Sequence, residues 1–187
     1  MILVAGLGNP GEKYQQTRHN AGFMFLDELR EFLGWDTLYQ VTDWNADRVF
    51  QSILCWVKVD SEKRVLLAKP MTFMNESGFA IRKIVDKNEI QISSGFVLVH
   101  DDLDLKLGTY KIQRDKAPRV HNGVNNVQDH LGNTDFLRVR IGIDNRDQAN
   151  RLSGEEYVLG KVNKEEMVLI REASLAAIKE LRTILKI

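Results

Sequence analysis

The chain is poor in several things, and each shortage narrows what it can be. Its 187 residues include one cysteine, Cys55, so neither an internal disulfide nor a thiolate metal cluster can form. Acidic and basic side chains number 26 each and cancel, so an anionic partner has to be met by local basic patches. No apolar run nears the ~20 residues needed to cross a bilayer, and the first residues show no basic leader with an apolar segment and cleavage site. The expectation is a cytoplasmic chain with no membrane contact. A Gly-x-Ser-x-Gly nucleophile elbow is absent, as are internal repeats, linkers and low-complexity tracts. What remains is long enough for one domain with a sizeable core, spanning 1–187.

What is present alternates between strand and helix. Residues 1–5 are wholly apolar, which predicts a strand buried on both faces. Phe23, Leu26, Leu29 and Leu33, with Gly34 as a stop, predict an amphipathic helix over 21–33. Residues 49–59 and 64–68 read as a hairpin closed by the polar turn at 60–63. Phe79, Ile81, Ile84 and Val85 predict a helix starting near Glu76. A buried strand over 96–99 ends in His100-Asp101-Asp102, and 109–113 and 137–143 alternate as half-buried strands do. A short helix fits 123–131. Asn163, with Glu166 three residues on, forms a capping-box start to a last helix over 163–187. That helix is striped by Met167, Ile170, Ala173, Ala177, Leu181 and Ile184. The sum is an α/β domain with a mixed, mostly parallel twisted sheet covered by helices on both faces. The polar, aperiodic stretch 145–156 reads as a surface loop or a lid.

Gly6-Leu7-Gly8-Asn9-Pro10-Gly11 spells the G-x-G-x-x-G of a dinucleotide-binding turn. The context argues against it. The glycines run into the polar stretch EKYQQTRHN and not into a helix. No second strand with a ribose-binding acid follows, and Pro10 removes a backbone donor inside the turn. No cofactor is expected. The glycines still mark a tight turn at the carboxyl end of a buried strand, where open α/β sheets place their sites.

Several residues carry chemistry. His19 lies in a polar loop beside Asn20. His100 is followed by Asp101 and Asp102 at a strand end, where a carboxylate can hold an imidazole in one tautomer. Asp101, Asp102 and Asp104 suggest Mg²⁺, but no second acidic cluster completes a site, so no metal is expected. Asparagines recur beside glycine or histidine: Asn9, Asn20, Asn75 and Asn122. Their amides can donate to an oxyanion or simply form turns. Residues 111–119 hold Lys111, Arg114, Lys116 and Arg119 against Asp115, and Arg138, Arg140 and Arg146 follow. Without interleaved aromatics, such a patch would grip phosphates and not bases.

These pieces resemble the bacterial-type peptidyl-tRNA hydrolase family. The similarity rests on GLGNPGEKYQQTRHNAGF at the start, KPMTFMNESG from Lys69, VHDDLDLKLG from Val99, HNG from His121, FLRVRIGI from Phe136 and EYVLGKV from Glu156. The blocks span nearly the whole chain. The resemblance implies an enzyme that cuts the ester between peptide and tRNA, acting as a monomer without metal or cofactor. Its partner would be peptidyl-tRNA, met at the acceptor-stem backbone and at the terminal adenosine with its peptide. His19 resembles the catalytic base and Asp101 the group that orients it. Asn9, Tyr14, Asn20, Met74, Asn75, His121 and Asn122 would shape or line the crevice. Asn75 or Asn9 would donate to the oxyanion. Lys111 and Arg140 fall in segments that approach tRNA phosphate, where Arg114, Lys116 and Arg119 would assist. The chain departs from the pattern in DKAPRVHNG, where glycines are usual, and at Gln113, where the family tends to carry lysine. An RNA-binding relative of the same fold without catalysis is the alternative reading.

Overall fold

The computed structural model describes residues 1–114, 118, 120–146 and 152–187. In chain order the elements are β1 (Ile2–Gly6), α1 (Ala21–Gly34), β2 (Gln40–Val41), β3 (Asn45–Asp47), β4 (Ser52–Lys58), β5 (Arg64–Pro70) and α2 (Ser77–Lys87). Then come α3 (Ile92–Gly95), β6 (Phe96–Lys106), β7 (Tyr110–Arg114), α4 (Asn122–Leu131), β8 (Leu137–Asp144), α5 (Gly154–Leu159) and α6 (Lys164–Leu185). Short 3-10 turns at Glu12–Tyr14, Arg18–Asn20 and Met74–Glu76 complete the frame.

The strands form one sheet in the order β2-β4-β5-β1-β6-β8-β7, with β3 added to β4. The centre, β5-β1-β6-β8, is parallel, and its strands are largely buried on both faces because helices cover both. Antiparallel strands extend the two edges: β4 with β2 and β3 on one side, β7 on the other. One face packs Val4, Val97 and Val99 against Phe25, Leu26, Tyr157 and Ile178 of α1, α5 and α6. The other packs Leu3, Ala5 and Leu98 against Ile81, Ile84 and Val127 of α2 and α4. Two stripe residues expected inside are not: Phe79 and Ile184 are about half exposed, at 47% and 46%. Phe79 lies on the side of α2 opposite its buried residues Ala80, Ile81 and Ile84, and Ile184 lies in the last turn of α6.

The glycine-rich turn has a packing explanation. A methyl on Gly6 would run into the carbonyl of Gly22, and one on Gly22 would meet Leu7 N and Val99 O at 2.5 Å. These two glycines let α1 cross β1 at close range. Gly11 has φ 103°, a region that L side chains rarely adopt. The spelling therefore serves helix–strand contact and a turn.

Candidate active site

The site begins where β1 stops. β6 pairs with β1 from Leu3↔Phe96 to Gly6↔Val99, then runs on to Lys106 beside β8 alone. Asp101 lies two residues beyond the last β1 pairing, so the side that β1 vacates is open to other groups. Two imidazoles occupy it. His19 comes from the turn ahead of α1, and His121 from the N-cap of α4.

His19 Nδ1 lies 2.9 Å from Asp101 Oδ1, and His121 Nε2 lies 3.0 Å from the same oxygen. The network fixes the tautomers. The backbone N–H of Val124 donates to His121 Nδ1 at 3.3 Å, so His121 carries its proton on Nε2 and donates it to Asp101. Asp101 is acceptor-only as a carboxylate, so His19 carries its proton on Nδ1 and its Nε2 is a lone pair. His19 Nε2 has no protein partner among the described residues.

Charge follows from this packing. Burial opposes ionisation of Asp101, but the charge and hydrogen bonds of His19 and His121 outweigh it and hold its carboxyl below the usual range. Burial also opposes protonation of His19, yet the Asp101 carboxylate prevails and the imidazole sits above its ordinary 6.5. His100 plays a different part. It is fully buried and donates from Nδ1 to the Asp101 carbonyl at 2.7 Å, packing edge-on to His121 with ring centroids 5.1 Å apart. Burial and the neighbouring His121 push it down to about 3, so it stays neutral.

His19, Asp101 and His121 have donor atoms within 4.8 Å of one another, a spacing open to a metal ion. The proton inventory argues otherwise. A metal on His121 Nε2 would move the ring proton to Nδ1 and set it against the Val124 N–H. Asp102 and Asp104 do not join the cluster. Asp102 Oδ2 accepts from Arg140 Nε at 2.6 Å, and Asp102 Oδ1 accepts from the backbone of Asp104.

His19 and Asp101 lie at the bottom of a crevice of about 210 Å³, with His121 and Asn122 beside them. Its walls are Leu103, Pro118, Val120 and Val158, and Gly154 and Glu155 of α5 close one side. The turn bearing His19 is clamped from behind. Arg18 Nη2 bonds Glu166 Oε1 at 2.6 Å, and its guanidinium stacks 4.2 Å from the Tyr157 ring centre. Glu166 also bonds Asn145 and caps α6 with Asn163.

The predicted residues divide. Asn122 reaches the crevice, and its amide has no hydrogen-bond partner among the described residues. Asn9 and Asn20 brace each other: Asn9 N–H donates to Asn20 Oδ1 at 2.8 Å, and Asn20 Nδ2 donates to Asn9 O at 3.0 Å. Asn9 Oδ1 accepts from Met74 N at 2.9 Å, and Asn9 Nδ2 has no partner among the described residues. Met74 is buried against Gly123, where a methyl would strike its sulfur, which explains the glycine of HNG. Asn75 is exposed and faces a different hollow with Gln51, Thr72 and Phe79. Tyr14 is half-buried outside the crevice, with Lys13 Nζ 4.6 Å from its ring.

The basic patch is largely committed. Arg140 is buried, bound to Asp102 and, at 3.1 Å, to Gln113 Oε1, so it is not a free phosphate contact. Arg114 bonds Ser93 O and Asp135. Lys111 is exposed on the edge strand β7, while Lys116 and Arg119 lie outside the described residues, as do positions 147–151 of the expected lid. Residues that sequence reasoning missed are Leu103, Glu155 and Val158. The last two belong to α5, whose Ser153–Glu156 capping box was the available signal.

A carboxylate that holds one imidazole by Nδ1 beside a crevice, at the carboxyl ends of parallel strands, is an arrangement able to carry general-base chemistry. The chain belongs to the peptidyl-tRNA hydrolase family, whose profile matches residues 3–187. A peptidyl-tRNA hydrolase from Thermodesulfovibrio yellowstonii is 34% identical over 190 residues, covering 99% of this chain and 92% of the relative. One from Bacillus cytotoxicus is 39% identical over 176 residues, covering 92% and 87%. The crystal structure of peptidyl-tRNA hydrolase from Acinetobacter baumannii superposes with TM-score 0.84 at 31% identity, covering all of this chain and 89% of that one.

Proposed function

We propose that this chain hydrolyses the ester joining the peptide to the terminal ribose of peptidyl-tRNA, with His19 as general base and Asp101 as its positioning residue. The lone pair on His19 Nε2 takes a proton as water attacks the ester carbonyl. The tetrahedral oxyanion collapses, the C–O bond to the ribose breaks, and the imidazolium returns the proton to the leaving oxygen. The products are a tRNA with a free ribose hydroxyl and a peptide carboxylic acid, which releases its proton to solvent as the carboxylate. An ester carries a better leaving group than an amide, so no covalent serine or cysteine step is needed. Base catalysis of this kind contributes roughly 10²–10⁴-fold.

Asn122, on the crevice wall with no hydrogen-bond partner among the described residues, is the donor best placed for the developing oxyanion or the attacking water, and Asn9 Nδ2 is the second. One such donor contributes about 3 kcal/mol. The tRNA backbone lies along the edge carrying Lys111. The observation that carries this reading is the 2.9 Å bond from His19 Nδ1 to Asp101 inside a crevice. No helix among the described residues is long and apolar enough to cross a membrane, in keeping with an RNA substrate.

Incubation with N-acetyl-aminoacyl-tRNA tests the proposal. Release of free tRNA and N-acetyl amino acid in stoichiometric amounts supports it. Binding of the tRNA without release favours the non-catalytic RNA-binding alternative.

A further inference from the structure

Glu155 lies one residue inside α5 and lines the same crevice as His19, Asp101 and Asn122. It is exposed and makes no hydrogen bond or ion pair among the described residues. The other carboxylates near the site are engaged: Asp101 by two imidazoles, Asp102 by Arg140, and Glu166 by Arg18. Its charge is felt inside, since it favours the protonated form of His19. Glu156, the next residue, is turned away and locked into the α5 capping box with Ser153.

Among the described residues that line the crevice, two carboxylates, Asp101 and Glu155, stand between the apolar walls of Leu103 and Val158. Low-dielectric walls concentrate such a field. A phosphodiester would be repelled from this side. The crevice therefore suits the peptide half of the substrate, and the ribose-phosphate half leaves in another direction.

We propose that Glu155 is a specificity-determining residue that selects for a cationic group, and against an acidic one, in the peptide next to the scissile ester. This rests on the hydrolase reading given above. An apolar stem lies along Leu103 and Val158, and an ammonium or guanidinium at its end meets the unpaired carboxylate, as the long side chains of Lys and Arg allow. A side-chain carboxylate in the same place meets two like charges.

The test uses one tRNA body charged with N-acetyl-Lys, N-acetyl-Leu or N-acetyl-Glu, and compares kcat/KM for the wild type, Glu155→Gln and Glu155→Lys. The expected order for the wild type is Lys, then Leu, then Glu. The Lys-to-Glu ratio falls about fivefold in Glu155→Gln, the scale of one partly solvated charge pair, and inverts in Glu155→Lys. A ratio unchanged across the three proteins overturns the inference and leaves the hydrolase reading standing. Absence of hydrolysis of all three substrates by the wild type overturns both.

Discussion

His19 and His121 address a single atom. Their ring nitrogens lie 2.9 and 3.0 Å from Asp101 Oδ1, and their ring centres are 4.9 Å apart. One comes from a turn before α1 and the other from the cap of α4, so the carboxylate joins two segments distant in sequence. Its charge sets the tautomer and basicity of His19 and also ties His121 in place.

Asp101→Asn keeps the shape and removes the charge. The expected outcome is a fall in kcat/KM of about 10²–10⁴-fold, together with an acidic limb of the pH–rate profile displaced to lower pH, because His19 loses the group that raises it. Steady-state hydrolysis from pH 5 to 8 checks both.

The wild-type pH profile follows from the same groups. His19 must be neutral to act, and it faces Asp101, Glu155 and His121, the first two raising it above 6.5. The acidic limb of kcat/KM therefore has unit slope and a midpoint above 6.5. Stability moves the other way. The contribution from protonated His19 is complete below 6.5 and fades as pH rises through the raised folded value. The contribution of Asp101, held below its usual 3.8, is present above that value and is lost as pH falls. Urea midpoints from about pH 2 to 8 measure the two trends.

His121→Ala removes the side chain that accepts from Val124 N at the start of α4, at a cost of about 1 kcal/mol. It also halves the donors on Asp101. His121→Asn restores the cap without reaching Asp101, so its urea midpoint returns toward wild type while activity stays about tenfold low.

Arg140 and Lys111, paired across β7 and β8, separate a structural cation from a phosphate contact. Arg140→Met leaves Asp102 buried without its partner, and the expected loss is about 3–5 kcal/mol of stability. Lys111→Ala leaves stability within about 0.5 kcal/mol. It lowers the slope of log binding constant against log salt by about 0.9. Salt titrations of tRNA binding and thermal melts distinguish the two residues.

The sequence revealed the parts of the molecule that repeat. The apolar run of β1, the stripe of α1 and the capping box of α6 each carry a period or a spelling that only one element fits. The edge strands β2 and β3, two and three residues long, have no room for a period. The apolar run predicts a strand over 96–99, whereas β6 continues to Lys106, because the charged residues that follow are paired by neighbours distant in sequence. The arginines of β8 misled for a related reason. Alternation suggested a solvent-facing side, but Arg138 and Arg140 are buried, and Arg140 is satisfied by Asp102 and Gln113 from neighbouring strands. In the site, neighbours marked His19 and Asp101 as candidates, but their pairing across 82 residues came from the family resemblance. The choice among asparagines was not readable, because what separates Asn122 from Asn75 is the hollow that each lines, which no sequence neighbour reveals.

The most direct test is single-turnover hydrolysis of N-acetyl-aminoacyl-tRNA by His19→Ala, with tRNA affinity measured on the same protein. The account predicts a rate lowered by at least about 10²-fold with binding within about twofold of wild type. Wild-type turnover in that variant would contradict it.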